Sequence, residues 1–178
     1  MTMRETPLSA DAKLISQMKL AELTVPGPLI RPVPGFTIGV PQGWLVRDCP
    51  GALFVMGPPD TFEGPWSNVT VKHERVLGDT TLEDVARSTL VQLRADYPDV
   101  EVLEATLVTF EQTHYVRTST LTMPGWPEPI NRSDSFVFAP GQTGLTGDLF
   151  QFSWLNAYEA TGPYAELYAA MLATLHFT

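Results

Sequence analysis

Basic residues, histidine and cysteine are all scarce in this 178-residue chain: 11 Lys and Arg, three His and one Cys. A single cysteine, Cys49, excludes any intramolecular disulfide. Its neighbours Asp48, Pro50 and Gly51 offer no base to generate a thiolate, so an inert thiol is expected. The 20 acidic residues leave a formal charge of −9. That balance speaks against nucleic acid and anionic lipid, where clustered Lys and Arg supply most of the affinity. No apolar run approaches the roughly 18–20 residues of a membrane-spanning helix. Residues 1–7 also lack the apolar stretch of a signal peptide. The chain as written therefore reads as acidic and cytoplasmic.

Catalytic and metal-binding patterns are equally thin. His73, His114 and His176 have no second His, Cys or acid at the spacing that sets two ligands on one helix face. There is no Gly-x-Ser-x-Gly, and Ser133-Asp134-Ser135 falls in a strand pattern without a base beside it. The run Gly141 to Gly147 leads into a strand, whereas a phosphate cradle leads into a helix; it reads as a hairpin loop. Glu83/Asp84 fit a helix start, and Glu101/Glu104 fit a solvated strand edge. No catalytic residue, cofactor or metal is assigned, and the chain is expected not to be an enzyme.

Hydrophobic content of 44% is that of a globular chain, and the length suits one domain with an arm. Residues 1–32 form the arm. Ser9 to Leu23 reads as a helix capped by Ser9, with Leu14, Ile15, Met18 and Ala21 at helical spacing. A stiff connector follows, because Pro26, Pro28, Pro32 and Pro34 stop both helix and central strand.

The domain proper is expected at 33–178. Phe36 to Val40 alternates as a strand and runs into Pro41-Gln42-Gly43-Trp44, a turn that starts a second short run. Ala52–Met56 is a compact apolar strand. Asn68–Val76 alternates, with Val69, Val71 and His73 on one face and Thr70, Lys72 and Glu74 on the other. The best-marked helix opens at Thr80-Thr81-Leu82-Glu83-Asp84, where a capping box supplies acceptors to unpaired backbone donors. Its apolar stripe is Leu82, Val85/Ala86, Thr89/Leu90 and Leu93, and Pro98 ends it. Residues 100–110 and 113–122 form a hairpin, followed by strands at 133–139 and 148–156. In the last of these Phe150, Phe152 and Trp154 mark a buried sheet face. A second amphipathic helix starts at Thr161. Strands with helices inserted singly argue for an α+β fold, a curved antiparallel β-sheet of about six strands covered by helices.

The strand into Pro41-x-Gly43-Trp44, the strand opening Asn68-Val69-Thr70-Val71, the capped Thr81-Leu82-Glu83-Asp84-Val85 and the terminal helix together form a pattern. Over roughly residues 33–178 it resembles the PsbP-like (Mog/DcrB-type) superfamily, within it most nearly the LpqN/LpqT-type proteins. The resemblance implies an α/β/α sandwich and a binding, accessory or chaperone-like role toward another protein. It carries over no catalytic residue. LpqN/LpqT-type lipoproteins have an export signal and a lipidated cysteine, whereas Cys49 lies inside the domain, which favours an intracellular relative.

Loop aromatics Phe62, Trp66 and Trp126 are the candidate partner contacts, since such side chains anchor interfaces when exposed. The plainer alternative is that they fold back onto the sheet. A competing function is a small-ligand carrier or enzyme with a pocket between sheet and helices, using His73 or His114 with Glu111 or Asp148. A homodimer through a sheet edge or the N-terminal helix is a further expectation.

Overall fold

The computed structural model describes residues 32–59, 68–126, 128–140, 145–157 and 161–178. Backbone contacts divide the chain into Met1–Pro32 and Val33–Thr178. The helix expected at 9–23 lies outside the described residues, and every described helix and strand belongs to the second unit.

Alternation in the sequence becomes a seven-stranded antiparallel sheet. Its strands are β2 (Leu45–Arg47), β3 (Phe54–Gly57), β4 (Asn68–Leu77), β5 (Glu101–Thr109), β6 (Thr113–Leu121), β7 (Ile130–Phe138) and β8 (Thr146–Ala157), in the order β2-β3-β4-β8-β7-β6-β5. A separate two-stranded ribbon pairs β1 (Phe36–Thr37) with β9 (His176–Phe177). Two helices are described: α1 (Leu82–Asp96) and α2 (Thr161–Ala173).

The antiparallel sheet flanked by helices is as expected, with one more strand than the six anticipated and an altered start. The Phe36–Val40 run stops being a strand after Thr37 and pairs with the C-terminus, not with the main sheet. Phe36 and Ile38 still pack on the core, but Val40 is turned outward. The turn after it forms as read, with the Trp44 N–H donating to the Pro41 carbonyl at 3.1 Å and Gly43 at φ 89°. That left-handed backbone favours glycine.

Strand period two then sorts the side chains. Val69, Val71, Val137, Phe150, Phe152 and Trp154 occupy one face under Tyr168, Met171, Leu172 and Leu175 from α2 and its C-terminal end, joined by Phe36 and Phe177 of the ribbon. Phe136 and Leu149 occupy the opposite face under Val85 and Ala86 of α1. A third cluster, Leu93, Val100, Leu121 and Ile130, closes the far end of α1. The helices therefore sit on opposite faces, each buried stripe being worth ~1.5–3 kcal/mol per large apolar side chain.

Helix α1 begins where the capping residues said it would. Thr81 has extended backbone, its hydroxyl accepts from the Asp84 N–H at 3.1 Å, and it donates to the Asp84 carboxylate at 2.8 Å. The bond from the Thr81 hydroxyl, with one from the Thr81 backbone N–H, holds the Asp84 carboxyl below its ordinary range, Arg87 adding to them. Tyr97 closes the helix by donating its N–H to the Leu93 carbonyl.

Candidate functional site

Each histidine finds its own partner. His73 Nε2 lies 2.9 Å from the Asp148 carboxylate, which Arg75 also approaches at 3.4 Å. The His73 ring rests on Phe150, 5.0 Å between centroids. His114 Nδ1 meets the Ser135 hydroxyl at 2.8 Å. His176 Nδ1 meets both oxygens of Glu111 at 2.8 and 2.9 Å on the surface.

Of the pairs anticipated, His73 with Asp148 is formed, whereas Glu111 goes to His176 and His114 to a serine. His176 pairs with Thr37 in the β1–β9 ribbon. Its two-residue strand is too short to show a period. The His114–Ser135 pair has the distance of a base and a nucleophile, but the two residues are 1% and 0% exposed. Burial holds the His114 imidazole down at about 4, so it is neutral near pH 7. Among the described residues, no three His, Cys, Asp or Glu side chains come together as a metal site.

The densest polar cluster lies between the sheet and α1, a place sequence reasoning missed. β6 and β7 pair Arg117 with Asp134, and β7 pairs Asp134 with Ser153 of β8. Arg117 donates to the Asp134 carboxylate at 2.8 Å and to the Ala86 carbonyl of α1 at 2.8 Å. Arg132 Nε reaches both Asp134 oxygens at 3.0 Å. Ser153 and Gln151 donate to the same carboxylate at 2.6 and 3.1 Å. Burial would raise the Asp134 carboxyl, but the Arg132 and Arg117 guanidiniums and the Ser153 hydroxyl outweigh it and hold it low. With four donors on a fully buried carboxylate, no lone pair is left for a substrate. The cluster is a structural tie between helix and sheet. Its one trace in the sequence is the single charge, Arg117, in the alternating series Tyr115, Arg117, Ser119, Leu121, which by itself reads as solvent-facing.

On the other face Tyr168 donates its hydroxyl to the Phe152 carbonyl at 2.7 Å, and burial pushes the phenol well above its usual value.

Of the loop aromatics, Phe62 and Trp66 lie outside the described residues. Trp126 is half-buried and packs against the Leu93, Val100, Leu121 and Ile130 cluster, its backbone N–H bonded to the Met123 carbonyl.

An open apolar feature lies beside the β1–β9 ribbon and the β2–β3 edge. It is a groove of about 590 Å³ with Phe36, Ile38, Phe54 and Met56 at its base and Val33, Val40, Val46 and Leu53 along it. The last four are 43%, 37%, 59% and 36% exposed. All three residues of β2 are exposed, so Leu45 and Val46 are apolar side chains with nothing to cover them among the described residues. In the sequence this showed only as a short strand without polar alternation.

The sequence matches no family model, and no curated protein is detectably similar to it. The fold, however, has a clear counterpart. It is an LpqN-like α+β sandwich: the crystal structure of LpqN, described as involved in cell envelope biogenesis of Mycobacterium tuberculosis, superposes with a TM-score of 0.64. The match covers 82% of this chain and 84% of that one at 13% identity, which establishes the fold alone. A Bacteroides thetaiotaomicron structure overlaps at TM-score 0.48 and 15% identity, over 80% of this chain and 45% of that one, and carries no argument. The resemblance read from the sequence thus holds at the level of fold. No helix among the described residues is long and apolar enough to cross a membrane.

Proposed function

We propose that this chain is a non-catalytic accessory module that engages another protein through the apolar groove beside β2 and β3. The observation that carries this reading is the concentration of exposed Val33, Val40, Val46 and Leu53 around one concave surface. Contiguous exposed apolar surface is costly in a monomer and is a feature of interaction sites. The buried polar groups support the same reading. Asp134 is consumed by structural bonds, and His114 is sealed in the core. An accessory role also agrees with a fold shared with a protein involved in cell envelope biogenesis.

The test is affinity capture from the source cell with the native chain and with a Val46→Asp/Leu53→Asp variant. A partner retained by the native chain and lost by the folded variant supports the reading. Capture unaffected by the variant contradicts it.

A second reading rests on the groove's size, since about 590 Å³ falls within the range of small-molecule sites. A small-ligand carrier would bind an apolar fluorescent probe stoichiometrically in that groove. Turnover of any small molecule by the purified chain would favour an enzyme over both.

A further inference from the structure

We propose that the edge strand β5 is a docking site for an extended, basic segment of another protein, added to the main sheet as a further strand. This surface is independent of the groove, because β2 and β5 are the two opposite edges of the sheet.

No further strand among the described residues pairs with β5 on its outer side. Helix α1 packs on β6 and β7, leaving Ala105 and Leu107 of β5 exposed on that face. Leu103 and Leu107 are 53% and 51% exposed. An open edge of this kind presents free backbone donors and acceptors, a template for another chain.

Two cavities flank the edge, one on each face. Toward α1 a cavity of about 260 Å³ is lined by Ala86, Leu90, Val102, Ala105 and Tyr115, with Glu83 at its rim. Toward α2 a smaller one of about 170 Å³ is lined by Val108, Val116 and Leu172. Ala105 and Val108 are three residues apart, so they point to opposite faces, about 10 Å apart along the strand. An added strand alternates in the same way. Side chains three apart in it therefore reach both cavities at once.

Charge selects the occupant. Glu83, Glu101 and Glu104 are exposed and have no ion pair among the described residues. Of the basic groups lining the α1-side cavity, Arg87 is paired with Asp84, and Arg117 with Asp134, which it shares with Arg132. A Lys or Arg stem lying on Ala86 and Leu90 brings its cation to Glu83, while an apolar residue three positions away fills the α2-side cavity. A second copy fits poorly. A two-fold axis at Thr106 sets Glu101 of one copy opposite Glu111 of the other, between chains of charge −9. Glu101 and Glu104 repel a like-charged strand and favour a basic one.

The experiment titrates the full chain with a nine-residue alternating Thr/Val peptide carrying Leu and, three positions on, Lys, followed by amide chemical shifts. The expected result is shifts concentrated in β5 and the first turns of α1. Affinity should fall about tenfold when the peptide Lys becomes Glu. A Glu83→Lys variant, altered only at an exposed position beside the α1-side cavity, should weaken binding about fivefold. N-methylation of alternate peptide bonds on the pairing side should abolish it. Equal affinity for the Glu peptide, shifts confined to another surface, or an edge occupied by concentration-dependent self-association would each overturn the proposal.

Discussion

Arg117 and Asp134 meet at 2.8 Å beneath α1, with side chains only 2% and 0% exposed. The pair joins neighbouring strands, and through the Ala86 carbonyl it also ties the helix to the sheet. Removing one partner leaves a buried charge without compensation. Asp134→Ala is expected to cost about 3–5 kcal/mol, read as a lower denaturant midpoint. The double variant Arg117→Met/Asp134→Leu should recover much of that loss. Arg132, half-buried and bonded to the same carboxylate, keeps the recovery from being complete.

Stability should also depend on pH through His114. Its folded value of about 4 lies below the ordinary 6.5, so the unfolded chain binds more protons between those values. Stability is therefore fully present above pH 6.5 and declines as pH falls toward 4, by up to about 3 kcal/mol. Asp134, held below 3.8, loses its contribution only at still lower pH, so the two windows separate. His114→Phe should flatten the profile between pH 6.5 and 4, measured by chemical denaturation at each pH. A profile as steep as that of the native chain would refute the assignment.

Thr81 starts α1 with a hydroxyl that accepts from the Asp84 N–H and donates to the Asp84 carboxylate. Thr81→Ala is expected to lose about 1 kcal/mol, and Thr81→Asn to lose less. Thermal unfolding of the two variants measures the difference.

The C-terminal ribbon separates packing from charge in adjacent residues. Phe177 is buried against Phe36 and Phe150, with ring centroids at 6.1 and 5.2 Å. His176 and Glu111 form an exposed pair. Phe177→Ala should cost about 3–5 kcal/mol, whereas His176→Ala should stay within about 1 kcal/mol. Equal effects would mean that the surface pair, not the ring, holds the terminus.

Long periodic elements were legible in the sequence, and short or locally contradictory ones were not. Asn68–Val76, the hairpin on either side of residues 111–112, and the buried Phe150, Phe152, Trp154 face followed from alternation. The Thr81 start of α1 followed from its capping chemistry. The β1–β9 ribbon was hidden, because strands of two residues carry no period and pair the two ends of the domain. Arg117 and Asp134 were hidden for another reason. A charged residue in a strand reads as solvent-facing unless its neighbours across the sheet are known, and those come from β6, β7 and β8. The groove was obscured in the same way: Val46 and Leu53 are ordinary strand-forming residues, and only the chain's path leaves them uncovered.

Photocrosslinking from position 46 in the source cell asks whether the groove beside β2 and β3 holds a partner. A photoreactive residue replacing Val46, which is 59% exposed, should yield a discrete crosslinked protein. That product should disappear when Leu53→Asp is added and persist when the photoreactive residue's exposed neighbour Arg47 is changed to Lys. Crosslinks only to solvent, or an identical product with Leu53→Asp present, would contradict it.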